Sequence, residues 1–100
     1  SFAYMFEELV ASSIPIRQYR VVQETLDRLL ILVVAPAASP EMRAQVERVV
    51  ASEVDSLTFG AVKCVFAYMD EIHPRPGQDK FAVFESRIPA SDLLGRLGNR

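Results

Sequence analysis

Ser39, Pro40 and Glu41 constrain this chain more than any other three consecutive residues. A serine hydroxyl can accept from the orphan amides of a helix start. Proline at the first helical position has no donor to lose, and a carboxylate there favours the positive end of the helix dipole. A helix must begin here, near the middle of a 100-residue chain. Met42, Val46, Val49, Val50 and Val54 then recur at steps of three and four, with Arg43, Gln45, Glu47, Arg48 and Glu53 between them, so one stripe of the helix is buried.

The segments around this helix alternate in character. Phe2, Met5, Phe6, Leu9 and Val10 have the spacing of a short amphipathic helix over Phe2 to Val10, which Ser12, Ser13 and Pro15 end. From Ile16 to Thr25 apolar and polar residues alternate imperfectly, as in a half-buried strand with a bulge or a change of face. A turn at Glu24 to Asp27 leads into Arg28 to Pro36, whose β-branched content favours a second strand. Strands joined so tightly should form an antiparallel hairpin. Gly60 closes the long helix, and Ala61 to Ile72, rich in Val, Phe and Tyr, reads as a third strand.

Asp70 to Asp79 holds Pro74, Pro76 and Gly77 and reads as an exposed loop. Phe81 to Ile88 reads as an edge strand, and residues 90–100 as a flexible tail or short helix. The order helix, strand, strand, helix, strand, strand predicts an α+β two-layer sandwich, with a mainly antiparallel sheet and helices on one face, ferredoxin- or ACT-like.

Composition narrows the function classes. Half of the residues are hydrophobic and the net charge is −2, which suits a globular domain and gives no general attraction for nucleic acid. The longest apolar run, Leu29 to Ala38, is about half of what a bilayer span needs, so no membrane partner is expected. Without a targeting segment, the expected compartment is the cytoplasm. Cys64 is the single cysteine and lies in an apolar run, which points to packing rather than chemistry. The chain opens at Ser1 rather than at a methionine, and its first residues already read as helix; a further segment is expected ahead of it.

No self-contained active site is written in the sequence. His73 is the single histidine, with no partner at metal-ligand spacing, and there is neither a phosphate-binding GxxxxGK[ST] loop nor a GxGxxG. Asp70 and Glu71 are adjacent carboxylates, which on a strand point to opposite faces and are poorly placed to share a substrate, so they read as a solvated strand terminus. Lys80 differs in its setting: it follows a loop with two prolines and a glycine, which can present a point charge to phosphate or carboxylate.

Three segments together resemble a known family. "IRQYRVVQETLDRLLILVV" at Ile16 to Val34, "SPEMRAQVERVV" at Ser39 to Val50 and "MDEIHPRPGQDKFAVFESRIP" at Met69 to Pro89 look like the C-terminal domain of phenylacetate-coenzyme A ligases, in the branch labelled capsular polysaccharide biosynthesis proteins. The resemblance implies that residues 1–89 are the mobile lid of an adenylate-forming enzyme, inactive when isolated. Its partner would be an N-terminal adenylation domain that holds ATP with magnesium and the carboxylate, with coenzyme A as a possible acceptor.

In that family a lysine of the last loop meets the acyl phosphate, and Lys80 matches it. Gly77 and Pro76 would shape the loop, and Arg20 and Gln23, on the best-matching strand, are weaker candidates for cofactor binding. Two departures accompany the match: Asp79 stands where the family has glycine, and Phe81, Ala82 and Val83 lack the arginine common after the lysine. They motivate the reading of a degenerate lid kept for packing. A reading from another class is a regulatory module that binds a small molecule or forms a homodimer side by side, with Phe81 to Glu85 as its contact.

Overall fold

The computed structural model describes residues 2–73 and 84–86. The first helix, α1 (Phe2–Ala11), buries Met5, Phe6 and Leu9, three of the apolar positions that mark it in the sequence. Ser13, at φ 69°, then takes the left-handed conformation before Pro15. The chain next enters β1 (Gln18–Thr25), which pairs with β2 (Arg28–Val34) as the expected antiparallel hairpin. The anticipated irregularity is present, as a register shift between Gln23 and Thr25.

The Ser39 cap forms as the sequence demands. α2 (Pro40–Thr58) has proline at its N-terminal end, and Ser39 Oγ accepts from the Met42 amide at 3.2 Å. A serine in this role is worth about 1 kcal/mol over alanine. Val46, Val50 and Val54 are buried along one side of α2, while Val49 stays partly exposed. The helix ends through two consecutive left-handed residues, Phe59 at φ 54° and Gly60 at φ 75°, whose amides both return to the Asp55 carbonyl.

β3 (Lys63–Tyr68) follows and is shorter than the expected Ala61 to Ile72. Its expected start is held in the turn that ends α2, where the Ala61 amide donates to the Thr58 carbonyl, and a bend at Asp70 follows its last ladder bond, from the Met69 amide to the Val33 carbonyl. The final strand, β4 (Phe84–Ser86), lies at a sheet edge, as anticipated for its segment.

The strands lie in the order β3-β2-β1-β4. Tyr19 and Val21 of β1, Leu29, Ile31 and Val33 of β2, and Cys64, Phe66 and Tyr68 of β3 share one face and pack with both helices in one hydrophobic cluster. Phe6 of α1 stacks on Tyr19, with ring centroids 3.9 Å apart and planes 8° from parallel. The result is the two-layer α+β sandwich with helices on one face.

The pairing pattern needs correction: the sheet is mixed rather than mainly antiparallel, because β2 with β3 and β1 with β4 run parallel. The physical reason lies in the connections. α2 is long enough to carry the chain from the end of β2 back to the start of a strand beside it, which is the crossover that parallel pairing requires. The opposite face presents Gln18, Arg20 and Val22 of β1, Leu30, Leu32 and Val34 of β2, and Val65 and Ala67 of β3. Val22 is fully buried there, whereas Val65 is 47% exposed. No described helix is long and apolar enough to cross a membrane.

Candidate functional site

Two side chains of β1 organise the polar region on the face away from the helices. Alternation along the strand sends Gln18 and Arg20 to that face. Gln18 Nε2 donates to the Ile72 carbonyl at 3.1 Å, and Arg20 Nη1 donates to the His73 carbonyl at 3.3 Å. Arg20 is buried and Ile72 is buried beside it. β3 lies two strands from β1, so these bonds tie down a stretch that leaves β3 and returns across the sheet toward β1. A cation held this far from water needs such oxygen partners.

Around this tie the surface is polar. Arg17, Gln18, Val34, Asp70 and Glu71 line an open cleft of about 410 Å³. His73 Nε2 lies 3.4 Å from Glu71 Oε2, with both side chains mostly exposed. A pair so well solvated adds little to stability. Asp70 and Glu71 are both solvated, as expected, although they lie just past the end of β3 rather than within it. Among the described residues no group of three His, Cys, Asp or Glu side chains gathers to hold a metal ion.

A second polar set sits between α2 and β3. The Arg43 guanidinium carbon lies 4.4 Å above the centre of the Tyr68 ring, within range of a cation–π contact. Tyr68 Oη is 3.0 Å from Glu47 Oε2 and 3.2 Å from the Arg43 carbonyl, so its single proton is shared between two acceptors. Burial first, and then the bond and charge of Glu47, push the Tyr68 phenol well above its ordinary range; Arg43 opposes them without prevailing. The phenol is thus held protonated and serves as a donor. Cys64, half-buried, also has its pKa raised, by burial and then by Asp55, which removes it further from nucleophilic chemistry.

Of the candidate site residues, the structure describes Arg20 and Gln23. Lys80 and Gly77, with Pro76 and Asp79, lie outside the described residues, as does most of the segment Phe81 to Ile88. Arg20 is described, and its position is that of a tie to backbone, buried beneath the return stretch. Gln23 stands opposite Leu29, on the helix side, so Arg20 and Gln23 project to opposite faces and do not build one surface. Gln18 went unnoticed in the sequence because its partner is a carbonyl, which any residue supplies. The Arg43 and Glu47 pair did leave a signal, since residues four apart on a helix share a face.

No protein-family model, curated protein or solved structure matches the chain.

Proposed function

We propose that this chain is the C-terminal lid domain of an ATP-dependent acyl-adenylating enzyme of the acid-coenzyme A ligase type, inactive when isolated. The observation that supports it most is the double tie from Gln18 and Arg20 to the carbonyls of Ile72 and His73. It joins parts of two of the three segments that carry the family resemblance, the strand "QYRVVQE" and the stretch Met69 to His73. Lys80 follows that stretch in the sequence, seven residues after His73.

In this reading Lys80 supplies a positive charge where negative charge develops on phosphate and carboxylate oxygens, an electrostatic contribution that is large in a water-poor site. ATP with magnesium, and coenzyme A as acceptor, would be held chiefly by the N-terminal adenylation domain. The test is carboxylate-dependent pyrophosphate exchange by the full-length protein. Lys80→Ala is expected to slow it by on the order of a hundredfold while leaving stability within about 0.5 kcal/mol. An unchanged exchange rate would remove Lys80 from the mechanism.

A second reading, a regulatory module that binds a small molecule, is favoured by the cleft at Arg17, Asp70 and Glu71, where both signs of charge line one opening. It is separated from the first by the parent gene: a module of this kind needs no adenylation domain ahead of it.

A further inference from the structure

β3 closes the sheet on the side away from β4, and among the described residues nothing pairs with its outer edge. The ladder to β2 fixes which groups face outward. The Lys63 amide donates to the Asp27 carbonyl and the Met69 amide to the Val33 carbonyl, each at 2.8 Å, so odd-numbered residues turn their backbone groups toward β2. Backbone groups alternate sides along a strand, and those of Cys64, Phe66 and Tyr68 therefore point away from the sheet. Devices that normally blunt an edge are missing over this stretch: it has no proline and no bulge, and Lys63 is its only charge.

We propose that this edge pairs antiparallel with the same edge of a second copy of the chain, about a two-fold axis at Phe66. The register follows from the outward groups. With Phe66 opposite Phe66, Cys64 falls opposite Tyr68 on both sides, and all three residues of each strand form hydrogen-bonded pairs, giving about six new bonds. No other two-fold register uses all of them. Even-numbered residues of both copies then face the helix layers and odd-numbered residues the open faces, so the two sheets join without a change of side. Val65, 47% exposed, comes to lie against Ala67 of the second copy, and Met69, 40% exposed, against Lys63.

Charge also agrees. Lys63 makes no ion pair among the described residues, and the pairing brings it to the end of the second copy's strand, where Asp70 and Glu71 follow. The seam is about 20 Å long, which is short for a permanent interface, so a weak, concentration-dependent dimer is expected. The inference depends on the sheet alone and is independent of the lid activity.

The register gives a sharp test. In a Cys64→Ser background, one variant carries Val65→Cys and another Ala67→Cys. In the proposed register these positions are directly opposed across a non-hydrogen-bonded pair, with Cα atoms about 4.5 Å apart, within disulfide reach. On mild oxidation, a mixture of the two variants should yield covalent dimer at least about tenfold faster than either variant alone.

In parallel, sedimentation of the unmodified chain should show mass rising toward a dimer with concentration. Val65→Lys, at an exposed position that keeps the fold by circular dichroism, should weaken association by about tenfold or more. A monomer at all concentrations, cross-linking without preference for the mixture, or a dimer untouched by Val65→Lys would each overturn the proposal. The last result would move the contact to another surface.

Discussion

Phe59 offers a stringent check on the backbone of this structure, because replacing a large hydrophobic residue by glycine should there increase stability. The residue ends α2 in the left-handed conformation, φ 54° and ψ 37°, and its side chain is 96% exposed. A non-glycine residue held there costs roughly 1–2 kcal/mol, because Cβ crowds the following carbonyl. Glycine removes that cost and adds back about 0.4–1 kcal/mol through the freedom it gives the unfolded chain. Loss of the ring forfeits almost no burial.

Phe59→Gly should therefore stabilise by roughly 0.5–1 kcal/mol, a rise of a few degrees in Tm for a domain of this size. Urea unfolding should show a higher midpoint with an unchanged slope. Phe59→Ala keeps the Cβ and should gain nothing. Gly60→Ala, at φ 75° with open space around the new Cβ, should lose stability through strain alone. A lower midpoint for Phe59→Gly, or an equal gain for Phe59→Ala, would refute the reasoning and assign the effect to the ring.

Arg20→Met retains much of the apolar stem but removes the bond to the His73 carbonyl, and should destabilise by about 1.5–3 kcal/mol, as for a buried bond from a charged group. Amide exchange at residues 70–73 should accelerate more than that of α2; equal acceleration everywhere would deny the tie. The raised pKa of Tyr68 makes a pH prediction. A phenol that holds its proton more tightly in the folded chain contributes stability that is complete below the unfolded value of about 10 and is lost as pH rises toward the folded one. Stability to denaturant should fall above about pH 10, and Tyr68→Phe should flatten that decline. A decline of the same size in the variant would place its origin elsewhere.

The parts of the fold visible in the sequence are those set by neighbours along the chain. Ser39 and Pro40 act within one helical turn, and the hairpin is dictated by a turn of a few residues, so both could be read directly. The direction of β3 relative to β2 could not, because it depends on how α2 returns the chain, and no local residue encodes that path. An antiparallel expectation carried over from the hairpin therefore fails at both flanking pairs. The cap of α2 was half legible: Gly60 announced a helix end, but the left-handed Phe59 had no signal, since propensity argues against it.

The site divides along the same physical line. Arg20 could be singled out as a cation on a strand, yet its role could not, because the group it grips is a main-chain carbonyl. That has a consequence for how the region can change. A carbonyl is offered by every residue type, so the path of the stretch at Ile72 and His73 is held by Gln18 and Arg20, with burial of the Ile72 side chain beside them. Replacing the His73 side chain, exposed and near Glu71, leaves both ties in place, while a change at Arg20 removes one of them without altering a residue of the stretch. The stretch that ends at His73 is thus held from β1, the described strand most distant from it in sequence.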